Sequence, residues 1–343
     1  MGAAMTRLAH RLIALPLGFL SACAGNQNAM GGQGLESANF IVLFLVFLAV
    51  CAVMYLLVLA GLGIALRRRR DAGQANSVDE DRHEETSART KVALIVWTGL
   101  VTVGLTILTV ASFFSDRSNA SSTRRSGLAL TITGNQWWWN VQYDTSDPSA
   151  SVRTANEIHL PVNVPVHVTL KSNDVIHSFW VPNLAGKQDL IPGRQTDIEL
   201  LPRRTGVFHG QCAEFCGVQH TRMALDVIVE PLDDFRRWYA QQLAAAPAPT
   251  TRLQMAGYRY FVTRECSSCH NVAGSPAGGQ IGPDLTHVAS RRSIGAGTLP
   301  LNRGNLYGWI ADPQSHKPGS RMPTIPMEPR DLHSLVAYIE TLK

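Results

Sequence analysis

Hydrophobic and polar positions divide the chain into three unlike parts. Phe40 to Leu66 is 27 residues without a charged side chain, and Val92 to Phe114 is a second uncharged run of 23. As a helix the first run reaches ~40 Å, enough to cross a ~30 Å hydrocarbon core with some tilt. A single apolar run could be a buried core helix, but two of this length predict a membrane hairpin within 25–118, with spans at about 40–66 and 92–114. From 126 to 232 the pattern changes to short strands and turns. Val164 to Ser172 alternates with period two, and Thr196 to Leu201 and Arg222 to Val229 are β-rich with flanking Pro or Gly. Strands without intervening helical runs predict an antiparallel sandwich. Residues 233–252, which include Ala244-Ala245-Ala246-Pro247-Ala248-Pro249, read as a linker that small residues and Pro keep extended. In 253–343, Leu332, Leu335, Val336 and Ile339 fall at helical spacing, so a terminal amphipathic helix is expected. Gly257 and Phe261, on a first helix, would pack against Leu335 and Tyr338.

Charge orients these parts. The loop 67–91 holds seven Lys/Arg, beginning Arg67-Arg68-Arg69-Arg70, whereas 25–39 holds none. By the positive-inside rule that loop is cytoplasmic and everything after 115 faces the periplasm or cell exterior. A basic run can bind nucleic acid, but beside a span it is a topology signal, and no nucleic-acid partner is expected. Residues 1–24 read as an export signal: Arg7 and Arg11, an apolar run from Leu12 to Leu20, then small residues. Ala22-Cys23-Ala24 fits a cleavage site, while Leu20-Ser21-Ala22-Cys23 fits a lipoprotein box in which Cys23 carries lipid. With 45% apolar and 17% charged residues and a net charge of +5, the chain is neither disordered nor a coat for nucleic acid.

Six cysteines are too few for a disulfide scaffold. Cys212, Cys216, His220 and Met223 fall within twelve residues of one predicted loop. Soft thiolate and thioether donors with imidazole favour copper or zinc over hard cations. A mononuclear blue-copper site needs one Cys and two His; here two thiolates can bridge a pair of coppers, each then needing a terminal His and a weak axial ligand. The loop supplies only His220. His177, at the end of a predicted strand beside Phe179 and Trp180, is the best second candidate. A Cys212–Cys216 disulfide and a structural zinc site are the competing readings, and the adjacent His and Met weigh against both.

These residues carry a resemblance. Asp174-Val175-Ile176-His177-Ser178-Phe179, Val181-Pro182, Gly186-Lys187-Gln188-Asp189, Ile191-Pro192-Gly193-Arg194 and the Cys212–Met223 loop resemble the copper-A domain of cytochrome c oxidase subunit II, a cupredoxin Greek-key sandwich. The preceding hairpin matches too, so the likeness spans roughly 40–232. It implies that Cys212 and Cys216 bridge two coppers, with His177 and His220 as terminal ligands. Met223 is then axial on one copper and the Glu214 carbonyl on the other. The Glu214 side chain, with Asp189 nearby, would reach magnesium or manganese at the subunit I interface. Gly134-Asn135-Gln136-Trp137-Trp138-Trp139 resembles the family's aromatic cluster, whose first Trp lies where electrons enter, which implicates Trp137; packing is the alternative use of such rings. One departure stands out. Family members commonly carry Glu three residues before the Trp-Thr pair opening the second span, near a proton path; before Trp97-Thr98 this chain has Leu94, so the resemblance does not extend to proton uptake by that route.

In the C-terminal part, Cys266-Ser267-Ser268-Cys269-His270 is the covalent haem pattern: two thiols one helical turn apart add to the vinyl groups, and the adjacent imidazole meets the iron. A thioredoxin-like motif is the alternative, but no βαβ pattern surrounds it. A downstream Met is expected as sixth ligand, raising the potential. Met322, 52 residues after His270 and followed by Pro323, comes first, Met327 second and His316 third. The domain resembles small all-α class I cytochromes c, which implies that the Pro283 carbonyl holds the His270 ring proton.

Taken together, the resemblance is to subunit II of a caa3-type oxidase. It implies electron flow from a donor (cytochrome c or a bc1-type complex) through haem c and copper A to haem a of subunit I, which reduces oxygen and pumps protons, with subunit III as a further partner in a bacterial inner membrane. No oxygen-reducing site is expected in this chain. The alternatives are the small subunit of a copper-A nitric oxide reductase and a non-catalytic copper-binding membrane protein.

Overall fold

The computed structural model describes residues 25–72, 80–122, 127–147 and 150–343. The expected export signal, with Cys23, lies outside the described residues. Two long helices come first, α1 (Leu35–Ala72) and α2 (Glu80–Ser122). Both run past the uncharged stretches, because Arg, Ala and Glu at their ends sustain a helix as well as Leu does. Leu35–Arg68 and Ala88–Ser115 are long and apolar enough to span a membrane. The hydroxyls of Thr102, Thr106 and Thr109 each donate to the carbonyl four residues back, at 2.8 Å, which suits a medium without water.

Residues 25–38 belong with the sandwich. Buried Asn183 accepts on its carbonyl from the Gln33 and Gly34 amides and the Ser37 hydroxyl, and on its side chain from the Asn28 amide. The first turn of α1 is thus tied to the sandwich.

Ten strands make two five-stranded sheets: β1 (Leu128–Asn135), β2 (Trp138–Asp144), β3 (Val152–Ala155), β4 (Glu157–Pro161), β5 (Val166–Ser172), β6 (His177–Trp180), β7 (Gln188–Leu190), β8 (Thr196–Leu200), β9 (Gly206–Cys212) and β10 (Ala224–Glu230). The sheet orders are β3-β2-β1-β5-β8 and β4-β10-β9-β6-β7. The inward positions of β1 and β5 (Leu130, Ile132, Val168, Leu170) meet Phe179, Leu225 and Val227 of the other sheet in one core. The sandwich is not wholly antiparallel as expected: β1 runs parallel to β5 and β10 parallel to β4. After β3 the chain crosses to the second sheet as β4 and returns as β5 beside β1, so these neighbours are joined by Greek-key crossovers, not hairpins. Period-two alternation reports which face is buried and is blind to strand direction.

The linker expected at 233–252 is corrected by the structure. Its first half is α3 (Leu232–Gln242), whose Phe235, Trp238 and Tyr239 stand one turn apart on the sandwich. Trp238 lies flat on His159 at 4.1 Å. Beyond α3 the chain is laid on the C-terminal domain, with the Ala246 amide bonded to the Ala273 carbonyl at 3.1 Å. Small residues made this stretch look unable to pack, yet smallness lets its backbone approach a neighbour.

The C-terminal domain comprises α4 (Arg252–Thr263), α5 (Cys266–Cys269), the short pair β11 (Ser293–Ile294) and β12 (Leu299–Pro300), α6 (Arg303–Ala311), α7 (Pro313–His316) and α8 (Pro329–Ile339). A capping box between Thr251 and Gln254 starts α4. Helices α4 and α8 cross at Gly257, with Phe261 and Tyr338 rings 5.8 Å apart beside the crossing.

Candidate metal centres

The first candidate centre is the β9–β10 loop. Its base is closed by the Cys212 amide donating to the Met223 carbonyl at 2.9 Å, so the residues between are forced out as a compact hairpin. Cys212 and Cys216 bring their sulfurs to 3.8 Å, far beyond the ~2.05 Å of a disulfide. His220 Nδ1 lies 3.6 Å and Met223 Sδ 3.9 Å from the Cys216 sulfur. Across the sheet, His177 Nδ1 is 3.9 Å from the Cys212 sulfur, and the Glu214 carbonyl is 3.3 Å from it. Two sulfurs, two imidazoles, a thioether and a carbonyl therefore converge from two elements. Both thiols, His177 and Met223 are buried.

His177 opens β6; it does not end a strand as its sequence context suggested. Its ring packs against β1 because Gly134 has no side chain: a Cβ there would lie 2.8 Å from His177 Cδ2. Asp174, which no spacing argument singles out, sits 2.8 Å from His177 Nε2 and also accepts from the Gln136 and Val175 amides. Burial pushes the Asp174 carboxyl up, but the His177 and amide hydrogen bonds outweigh it and hold it below the usual carboxylate range. An ionised Asp174 fixes the His177 ring with Nδ1 facing the sulfurs.

The donor set fits a soft cationic group. The Cys216 thiol pointing at the Cys212 sulfur draws Cys212 down, while the same contact and burial push Cys216 up. The pair holds one negative charge readily and resists a second, so a buried dithiolate calls for cationic charge beside it. Asp189 stands half-buried on β7, opposite Ser178. The ligating atoms gathered within 4.8 Å belong to His177, Cys212 and Cys216, without Asp189 or the Glu214 carboxylate.

The second candidate centre is a cleft in the C-terminal domain. Cys266 and Cys269 lie one turn apart on α5, and both line the cleft with His270. His270 Nδ1 is 2.7 Å from the Pro283 carbonyl. A carbonyl only accepts, so Nδ1 carries the proton and Nε2 keeps its lone pair. Burial also lowers the His270 pKa, keeping the ring neutral, the form that ligates iron. A Cβ on Gly282 would come within 2.6 Å of His270 Cε1, and one on Gly279 within 2.4 Å of the Cys269 backbone, so bare glycines shape the cradle. Arg291, buried and lining the same cleft, has no hydrogen-bond partner at Nε among the described residues. A flat apolar group carrying carboxylate arms fits this combination.

Met322 and Met327 both line the cleft. Gln314, unremarkable in the sequence, donates to the Ser320 and Met322 carbonyls and braces that loop. His316 is turned away: its ring faces Gly308 and its carbonyl accepts from the Arg222 guanidinium. Trp137 stands between the two centres. Its indole N–H donates to the Cys216 carbonyl at 2.9 Å, and its ring helps to line the cleft.

Fold and sites define a class: a membrane-anchored electron-transfer protein with a thiolate metal centre and a c-type haem domain. Residues 146–230 match the cytochrome c oxidase subunit II periplasmic-domain family, and residues 254–343 the cytochrome c family. Cytochrome c oxidase subunit 2 of Alkalihalophilus pseudofirmus is 32% identical over 333 residues, covering 95% of this chain and 94% of the relative. That of Bacillus sp. (strain PS3) is 29% identical over 294 residues, covering 80% of each. Among solved structures, the periplasmic domain of subunit II of cytochrome oxidase of Bradyrhizobium japonicum covers 35% of this chain and 96% of its own, at 29% identity and a TM-score of 0.33. The chain belongs to the cytochrome c oxidase subunit 2 family. The two matched domains imply copper A and haem c. Membership also assigns the chain to a haem–copper oxidase complex, membrane-anchored with periplasmic domains.

Proposed function

We propose that the chain is the two-station electron relay of a caa3-type oxidase in a bacterial inner membrane. Cys212 and Cys216 would bridge the coppers, with His177 and His220 terminal and Met223 and the Glu214 carbonyl axial. Cys266 and Cys269 would attach the haem, with His270 and Met322 on its iron. The Glu214 carboxylate and Asp189 are the candidates for magnesium or manganese facing subunit I. When bound, copper A and haem c would supply the redox chemistry, so that the chain would carry electrons from cytochrome c or a bc1-type complex toward haem a of subunit I, where oxygen is reduced and protons are pumped. Subunit III is a further expected neighbour.

The protein's own residues do the positioning. Asp174 orients His177, the Pro283 carbonyl orients His270, and Gln314 braces the Met322 loop. The observation that carries the relay is Trp137: one indole lines the haem cleft and donates to the carbonyl of Cys216. Its ring is buried, only 8% exposed, so electrons would reach it from the tethered haem domain, not from a soluble carrier docking there.

In the purified complex, an electron delivered to the c-type haem by a flash is expected to leave it as the copper–thiolate band bleaches, with oxygen then consumed. Bleaching ahead of haem oxidation would overturn the relay, and turnover with nitric oxide in place of oxygen would overturn the oxidase reading. Met322→Leu is expected to lower the haem midpoint potential by on the order of 100 mV, since thioether ligation is what raises it. Met327→Leu should leave it unchanged in a redox titration, and the reverse pattern would move the ligand to Met327.

A further inference from the structure

Between the two centres lies a lysine that the relay does not use. Lys317 is 2% exposed, and lysine is almost never so buried unless paired. Its Nζ donates to the carbonyls of Trp137 at 2.7 Å, Arg222 at 2.7 Å and Gly295 at 2.8 Å. An ammonium has three donors and all three are used here. Two of the acceptors are on the sandwich and one is in the haem domain, so a single cation is held by both.

The acceptors are not arbitrary backbone. Trp137 donates to the Cys216 carbonyl, and Arg222 immediately precedes Met223. Lys317 itself is five residues before Met322. Around it the two domains approach backbone to backbone. The Gln219 side chain donates to the Pro318 carbonyl at 2.8 Å, and the Ala224 amide to the Ala296 carbonyl at 3.0 Å. Gly319, at φ +82°, lies where a Cβ would come 3.7 Å from the Trp137 ring. Burial draws the Lys317 ammonium down to about 7, with the charge of nearby Cys216 opposing the fall and that of Arg222 adding to it.

We propose that Lys317 is the latch that holds the haem domain on the copper domain, a positioning residue that keeps electron transfer between them in one preformed geometry. The proposal rests on the relay reading. With the latch closed, transfer needs no search by the tethered domain. With it gone, three buried carbonyls lose their donor, and the docked state becomes one of several that the linker permits.

The test uses the full chain in the purified oxidase complex, with transfer from haem c to copper followed after a flash. In the wild type the rate is expected to be independent of added glycerol, because no docking motion precedes transfer. In Lys317→Met the rate should fall by about 10- to 100-fold and become viscosity-dependent, the scale expected when a positioning contact is lost. Haem and copper spectra and both midpoint potentials should stay at their wild-type values. Three results would overturn the latch: an unchanged rate in Lys317→Met, slowing accompanied by shifted potentials or spectra, or a wild-type rate that already falls with glycerol. The last needs no variant, so it decides the matter even if Lys317→Met does not assemble. Failure of the relay itself would look different, as a wild-type complex with no transfer from haem c to copper.

Discussion

Cys216→Ser is expected to abolish the mixed-valence copper spectrum while leaving the c-type haem spectrum and potential intact. The Cys216 sulfur is the hub of the site, touching the Cys212 sulfur, His220 Nδ1 and Met223 Sδ. Serine preserves the shape and the backbone, so the bonds from Gln136 and Trp137 to the carbonyl of residue 216 survive and the loop still folds. What changes is the donor. An alkoxide is hard and forms only at high pH, whereas a thiolate is soft and matches copper. Loss of the bridge should reduce bound copper from two per chain to one or none. Electron flow from haem to oxygen should fall more than about 100-fold, since even outer-shell changes at metal sites cost 10- to 100-fold. Metal analysis and electron-spin resonance of the purified complex check this, and a surviving mixed-valence signal would end the bridging assignment. The haem would be held by Cys266, Cys269 and His270, none of which the substitution touches, so its spectrum serves as the internal control.

Chemistry-bearing residues are legible in the sequence to the extent that they are close along the chain. Cys212 to Met223 is one loop and Cys266 to His270 one turn, so spacing alone groups their donors. His177 stands out only because the loop is one imidazole short, and its sequence context puts it at the wrong end of its strand. Strand ends depend on partners such as β7 and β9, which lie well downstream. The parallel pairs β1–β5 and β4–β10 are hidden for the same reason: direction is a property of two segments, not one. Lys317 is invisible because its role consists of contacts as far as 180 residues away in the chain, and Asp174, though only three residues before His177, matches no metal-ligand spacing because it holds the ring and not the metal. Helix α3 is legible in principle. Phe235, Trp238 and Tyr239 have helical spacing, but the Ala/Pro composition downstream draws the whole stretch into a linker.

The α4–α8 crossing shows how far a spacing argument reaches, and it sets the second large effect. Gly257→Val is expected to destabilise the haem domain by about 3–5 kcal/mol, the range for overpacking combined with cavities opened beside it. A Cβ at 257 would fall 1.9 Å from the Ser334 carbonyl oxygen and 2.5 Å from its carbon, both backbone atoms of α8. No rotamer change can relieve that overlap, so the helices must separate. Residues Ser334 to Ile339 of α8 are all buried, and separation strips contacts from Phe261, Leu335 and Tyr338 together. One effect opposes this: glycine inside a helix costs about 1 kcal/mol relative to alanine, and less relative to valine. That gain is too small to offset a backbone clash. With a haem domain of this size, 3 kcal/mol corresponds to a fall of roughly 12–24 °C in its melting temperature. Thermal unfolding followed at the haem band checks it, with the copper–thiolate band as a reporter of the sandwich. A shift of only a few degrees would show that α4 and α8 can slide apart at little cost, and that their close approach is not what holds the haem cleft together.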